Sequence, residues 1–133
     1  MTNKDIVKTW FAAIDDKDFD GVKALMNPDH QFSNPMTPGP MGPDGHIGMI
    51  QMMTGAFAGA HNLVLTVSEG DHVAVRGRWK GTHTGDFNGV PASGKTVEFT
   101  FLDMFEIKGG KVSREAFEMN PMAIMAQIGA AAA

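Results

Sequence analysis

The chain has 133 residues, a formal net charge of −4 and neither cysteine nor tyrosine. That length suits one domain with one sizeable core, residues 1–133. The acidic balance argues against a nucleic-acid partner, whose phosphates demand a basic stripe, and the missing cysteines exclude disulfides, thiol nucleophiles and thiolate metal sites.

The first segment, "TNKDIVKTWFAAID", places Ile6, Val7, Trp10, Phe11 and Ile14 on one helical face, with Thr2 or Asn3 as cap and Asp5 near the positive end. "DFDGVKALM" predicts a second short helix capped by Asp18 and stopped by Pro28. "HQFSNP" reads as a short extended piece before a proline- and glycine-rich stretch. A third helix then carries Ile47, Ile50 and Phe57 at helical spacing, widened by Met49, Met52 and Met53. With so little polar surface, that helix is covered on two sides or lids a cavity.

After "AGAHN" the period changes to two. Leu63, Leu65 and Val67 alternate with polar residues, then Val73, Val75 and Trp79, then Val97, Phe99, Phe101, Phe105 and Ile107. "KGGK" is a Gly-Gly hairpin. The last strand, Val112 to Met119, runs into Asn120-Pro121, an N-cap followed by proline, and "MAIMAQI" closes at Gly129. The terminal alanines, 130–133, read as a frayed, disordered tail. Helices, then a four-strand antiparallel meander, then a helix define an α+β protein. No apolar run approaches the roughly 20 residues of a membrane span and no signal-peptide pattern opens the chain, so the expectation is a cytoplasmic protein without a membrane partner.

Between the second and third of these strands lies "GTHTGDFNGVPASGKTVEF". Its His83-x-Gly85, Gly89-x-Pro91 and Lys95, with the later "IKGGKV" and the closing "NPMAIMAQIG", resemble the SnoaL-like polyketide cyclase family of the nuclear transport factor 2-like superfamily. The resemblance covers most of the chain. It implies a cone-shaped, curved antiparallel β-sheet wrapped around N-terminal helices, enclosing a pocket, and a homodimer. Family cyclases close a polyketide ring by intramolecular aldol condensation, using a carboxylate and neither metal nor cofactor. The family's catalytic aspartate aligns with Phe117, a histidine of the preceding strand with Asp103 and a glutamine with Phe101, so none of the three is retained in kind.

Asp103 is the only carboxylate on the apolar stripe from Val97 to Ile107. If that stripe faces a cavity, desolvation raises its pKa and suits it to acid/base work; otherwise it is a structural aspartate accepting a backbone or arginine hydrogen bond. A register pairing Ala74 with Glu106 sets Asp103 opposite the bare Gly77, leaving room for a ligand, and removes His83 about 20 Å from Asp103. His83 then reads as a loop-fixing residue and the loop as a rim element shaping the pocket mouth.

His30, His46, His61 and His72 include no i,i+4 pair, so no metal site is expected and rim or surface positions are the default, with His46 and His61 able to reach a pocket mouth. Arg76 and Arg78 point outward toward Glu106, and Arg114 and Glu115 read as a similar surface pairing.

Trp10, Ile50, Met53, Phe57, Trp79, Phe99, Phe101 and Phe117 supply the walls for a small hydrophobic, ring-containing ligand. Two functions fit: cofactor-independent aldol cyclisation or isomerisation with Asp103 as base, or non-catalytic binding of an apolar metabolite.

Overall fold

The computed structural model describes residues 1–129; the expected tail at 130–133 lies outside them. Nine elements follow in chain order: α1 Asn3–Asp15, α2 Phe19–Ala24, β1 Met26–Ser33, α3 Pro43–Ala56, β2 Phe57–Glu69, β3 His72–His83, β4 Thr96–Lys108, β5 Lys111–Glu118 and α4 Pro121–Ile128.

Local chemistry accounts for the helix ends. Thr2 and Asp5 form a reciprocal capping box on α1. Asp18 caps α2 by accepting from the Gly21 N–H. Asn120 caps α4, Pro121 opens it, and Gly129 ends it with a left-handed φ of 88°.

The five strands form one curved, unclosed α+β sheet in the order β1-β5-β4-β3-β2. The expected meander is β2 to β5; the extra strand is β1, longer than the short extended piece foreseen, which pairs parallel to β5 along the sheet edge. Pro28 sits within this edge strand, where a missing N–H is tolerated. The core lies between the sheet's concave face and α1. Val73, Val75, Phe101, Phe105 and Ile107 meet Ile6, Val7, Trp10 and Phe11 there, each side chain contributing about 1.5–3 kcal/mol on burial.

Two features of the sheet depart from the alternation pattern. Leu63 pairs with Gly77 but Leu65 pairs with Arg76, so Val64 is the extra residue of a β-bulge. The bulge turns Leu65 and Val67 outward, 56 % and 50 % exposed. Between β3 and β4 the register is offset by two residues from expectation: Asp103 faces Val75, and Gly77 faces Phe101. A two-residue slip keeps the same side chains inward, so alternation alone cannot detect it. No ligand space opens above Gly77, because the Phe101 ring lies across it.

Arg76 and Arg78 are exposed on the outer face as expected, but they do not pair with Glu106, which contacts Lys108 at 2.8 Å and His72 at 3.8 Å. Beyond the end of β5, Gln127 of α4 joins the free side of β4. Its amide accepts from the Glu98 N–H (2.8 Å) and donates to the Glu98 carbonyl (2.6 Å).

The long loop after β3 is fixed at its base, as foreseen for His83. The His83 Nδ1 lies 2.9 Å from Ser93 Oγ and accepts from the Ser93 N–H. Thr84 and Gly85 both donate backbone N–H groups to the Ala56 carbonyl. Gly85 is needed because any Cβ there would overlap the Gly55 carbonyl. At the tip, Asn88 and Gly89 take φ of 47° and 81°, and Phe87 and Val90 exchange hydrogen bonds around them. This is a two-residue Asn-Gly hairpin inside the loop. It presses Phe87 onto Phe57, with ring centroids 5.0 Å apart.

Candidate functional site

Between α1, α3 and the concave sheet lies a cavity of about 250 Å³. Its wall is largely hydrocarbon. Ile50 and Met53 come from α3, Phe57 from β2, Trp79 from β3, Phe99 from β4 and Phe117 from β5, six of the eight residues the sequence nominates as walls. The other two, Trp10 and Phe101, lie one layer behind, 0 % and 2 % exposed. Trp10 packs against the rings of His30 and His46, and Phe101 stacks on Phe117. The loop after β3 contributes nothing to this lining; Phe87 and Asn88 border an open groove on the outer side of α3, which has no ionisable lining residue.

Polar side chains in the cavity wall are few, and several are already committed. Asn34 is used up in its own turn, accepting from the Met36 N–H and donating to Thr37. Thr54 donates back to the Ile50 carbonyl. Lys17 is exposed at the rim. Two pairs remain: Asp15 with His61, and His46 with Glu115.

Glu115 and Asp103 form the buried acidic centre, 4 % and 3 % exposed. Asp103 does not line the cavity; it lies behind Glu115, with the two carboxyl groups adjacent on the diagonal between β4 and β5. As two carboxylates, the pair leaves Asp103 Oδ1, Asp103 Oδ2 and Glu115 Oε1 with no donor among the described residues. A proton held between them removes that conflict. Desolvation, then the neighbouring Glu115, pushes Asp103 well above the ordinary carboxylate range. Desolvation also raises Glu115, to about 7.

Behind Glu115 the hydrogen bonds continue. The Val112 carbonyl is 3.2 Å from His30 Nδ1, so that nitrogen donates. His30 Nε2 must then accept from His46 Nδ1, 2.9 Å away. His46 Nε2 is left with a lone pair, 3.5 Å from Glu115 Oε1. Burial lowers the pKa of both histidines, His46 to about 3, so this last contact is a long neutral one to a carboxylic acid, not an ion pair. The Phe32 ring stacks on His46 at 3.7 Å and 2°. The pieces make a directed chain from the Val112 carbonyl through His30 and His46 to Glu115 and Asp103. Adjacent imidazoles 2.9 Å apart leave no space for a metal ion between them.

His30 and His46 therefore leave the rim positions expected for them, and only His72 is exposed. Glu115 is not a surface partner of Arg114. Its signal was parity, because Glu115 and Phe117 share one face of β5. His30 likewise alternates with Phe32, and His46 stands one helical turn from Ile50.

At the other end of the wall, Asp15 closes α1 and holds His61 of β2 by two points. One carboxylate oxygen accepts from the His61 N–H at 3.0 Å, the other from ring Nδ1 at 2.6 Å. Spacing along the chain carried no sign of this pair, 46 residues apart.

A cone of α+β architecture, with a sheet curled around N-terminal helices, defines a nuclear transport factor 2-like protein. The family model of the SnoaL-like polyketide cyclases matches residues 4–128, and the chain belongs to that family. IdmH of Streptomyces antibioticus, described as a candidate polyketide cyclase, is 25 % identical with a TM-score of 0.86, over 97 % of this chain and 99 % of that one. A candidate SnoaL-like polyketide cyclase of Jannaschia is 24 % identical with a TM-score of 0.87, over 96 % and 92 %. AclR of Streptomyces galilaeus, described as a candidate hydroxylase, is 21 % identical with a TM-score of 0.86, over 96 % and 95 %. The fold alone thus does not fix a reaction. No curated protein matches the sequence, and no described helix is long and apolar enough to cross a membrane.

Proposed function

We propose that the cavity binds a small apolar, ring-containing carbonyl compound, and that the Asp103–Glu115 pair exchanges a proton with it in cofactor-independent cyclisation or isomerisation. One observation carries this reading: a carboxyl group raised toward neutrality stands in a largely hydrocarbon wall. It stands on β5 one inward position from Phe117, which occupies the place of the family's aspartate. A carboxylic acid kept neutral by burial can donate a hydrogen bond to a carbonyl oxygen, and a group titrating near neutrality can both give and take a proton. A phenol is a common donor to a developing oxyanion and the chain has no tyrosine; a neutral carboxyl supplies that hydrogen bond instead. Asp103, the base expected from sequence, becomes the buried partner behind Glu115, itself raised by desolvation and by the neighbouring carboxyl.

Binding without turnover is the second reading, and Phe117 and Phe101 favour it, since hydrocarbon fills two of the three positions where the family's polar residues align. Thermal-shift titration with an aryl-fused cyclic ketone such as 2-tetralone tests the common core of both. Stabilisation by such ketones that weakens as pH rises through 7 in the wild type, and is independent of pH in Glu115→Gln, supports the carboxyl as the carbonyl donor. Stabilisation only by sugars, nucleotides or charged metabolites overturns the reading.

A further inference from the structure

We infer that His61 anchors an aromatic hydroxyl: its Nε2 accepts the O–H of a phenol-type ring lying against Trp79 and Phe99. Asp15 is the positioning residue that sets this polarity. The inference rests on the reading of the cavity as a site for apolar ring compounds and asks nothing of Glu115.

Two hydrogen bonds set the imidazole. Asp15 closes α1, and its Oδ2 accepts the His61 backbone N–H at 3.0 Å. Its Oδ1 lies 2.6 Å from Nδ1, and a carboxylate only accepts, so Nδ1 carries the proton. Nε2 keeps the lone pair and makes no hydrogen bond among the described residues. It is not one of the sealed, partnerless core nitrogens, which are Trp10 Nε1 and His83 Nε2. His61 lines the cavity, and its side chain stays 12 % exposed. Joining α1 to β2 needs only the backbone bond; the ring bond adds a fixed tautomer with its acceptor left open.

The surroundings define what such an acceptor receives. His61, Trp79 and Phe99 are direct partners across β2, β3 and β4, so their side chains share one inward row. The Trp79 indole lies over bare Gly59 and Gly81, where any Cβ would overlap it. Phe99 stacks on the indole at 5.5 Å and 16°. Gly77 is equally bare under Phe101, whose ring meets that of His61 edge-on at 5.7 Å. Phe11 packs on the imidazole at 4.9 Å. Rings laid flat on glycines make a level aromatic surface that fits a planar ring. At its margin the lone pair fits a hydroxyl donor, whereas a carbonyl or ether oxygen would meet it with a lone pair of its own. The proton is shared between the phenol oxygen and Nε2, and Asp15 balances whatever charge the imidazole takes up. The other ionisable wall residue here is Lys17, at the rim just after α1. Glu115 stands in the row of Phe105, six residues along β4 from Phe99, about 20 Å along the strands. The anchor is thus a separate polar point of the cavity.

The test compares 2-naphthol with 2-methoxynaphthalene, which keeps the rings and the oxygen but lacks the O–H, by calorimetric titration at mildly alkaline pH. Wild type should bind 2-naphthol about tenfold more tightly, the difference one hydrogen bond makes. His61→Phe keeps the backbone bond to Asp15 and an aromatic ring, and should bind the two alike. Asp15→Asn should invert the anchor. The backbone N–H still requires the side-chain oxygen, so the amide nitrogen turns to Nδ1 and the ring proton moves to Nε2. Nitrogen NMR of the imidazole should then report Nε2–H in place of Nδ1–H, and the preference for 2-naphthol should vanish; a merely structural tie predicts neither. Equal wild-type affinities, or a preference that survives His61→Phe, overturn the anchor and leave the cavity reading standing. An unchanged tautomer in Asp15→Asn overturns the role of Asp15. If neither variant folds, the wild type decides, because 2-naphthol must shift the Nε2 resonance and 2-methoxynaphthalene must not. Failure of both naphthalenes to bind overturns the cavity reading as well.

Discussion

The carboxyl of Asp103 meets that of Glu115 on the diagonal between β4 and β5, and neither Asp103 Oδ1 nor Oδ2 has a hydrogen-bond partner by geometry among the described residues. Their proximity makes the proton part of the folded structure.

Stability should therefore depend on pH with a definite sign. Folding raises Glu115 from 4.5 to about 7. Its contribution is fully present below about 4.5 and is lost as pH rises through about 7, amounting to roughly 3 kcal/mol. His46, lowered from 6.5 to about 3, runs the other way: its contribution is present above 6.5 and lost as pH falls toward 3. The two offset each other between 4.5 and 6.5. Thermal melts should show a mildly acidic plateau and a fall in Tm from pH 6.5 to 8, and Glu115→Gln should reduce that alkaline fall. A wild-type Tm that is level from pH 6.5 to 8 counts against the raised carboxyl.

His46→Ala removes the ring stacked on Phe32 and strands His30 Nε2 inside the protein. A loss of about 3 kcal/mol is expected from the cavity and the orphaned nitrogen together. Urea unfolding of His46→Ala, Glu115→Gln and the double variant should give a double loss smaller than the sum, as for members of one chain. Full additivity would mean that His46 and Glu115 are energetically independent.

Gly77→Ala should destabilise by about 1–3 kcal/mol, since its Cβ would enter the Phe101 ring, which is packed against Phe11 and Phe117. Near-UV circular dichroism should change with it. Adding Phe101→Leu should recover part of the loss; no recovery would place the strain elsewhere.

A second copy of this chain is the occupant proposed for the outer face of the sheet. Val67, Ala74, Met104 and Ala116 form one apolar rung across four strands. The adjacent rung reads Leu65, Arg76, Leu102 and Glu118. Leu102 and Met104 are 60 % and 49 % exposed. Arginine and glutamate on either side of Leu102 become mutual partners when a two-fold axis faces this rung with itself. Light scattering should find a dimer at micromolar concentration, and Leu102→Glu with Met104→Lys should give a folded monomer. A wild-type monomer at high micromolar concentration would overturn the pairing.

Much of this architecture was legible because local rules and pattern agree. Asp18, Asn120-Pro121 and Gly129 bound their helices by capping chemistry, and the period change after Asn62 announces the sheet, although β2 already begins at Phe57, which the helical spacing places on α3. The Asn88-Gly89 hairpin was equally readable, though hidden in a stretch that reads as one long loop. Long-range relations were not. The Val64 bulge turns Leu65 outward without any signal of its own, and the β3–β4 register depends on a connection too long to fix it. The site divided the same way. Parity marks Glu115, His30 and His46 as inward-facing, but only the parallel pairing of β1 with β5 and the packing of α3 bring them into one chain. Asp15 and His61 meet through the docking of α1, which neither segment encodes alone.

Gln127 grips both backbone groups of Glu98 as a neighbouring strand would, at the point where β5 no longer covers β4. An unpaired strand margin is a template for foreign chains, and this one is rich in β-formers: Val97, Phe99 and Phe101. One amide occupies its hydrogen-bonding groups at the centre, and the body of α4 shields the rest. The closing helix thus acts as a guard against intermolecular strand addition, so loosening it should expose a sticky seam before it disturbs the core.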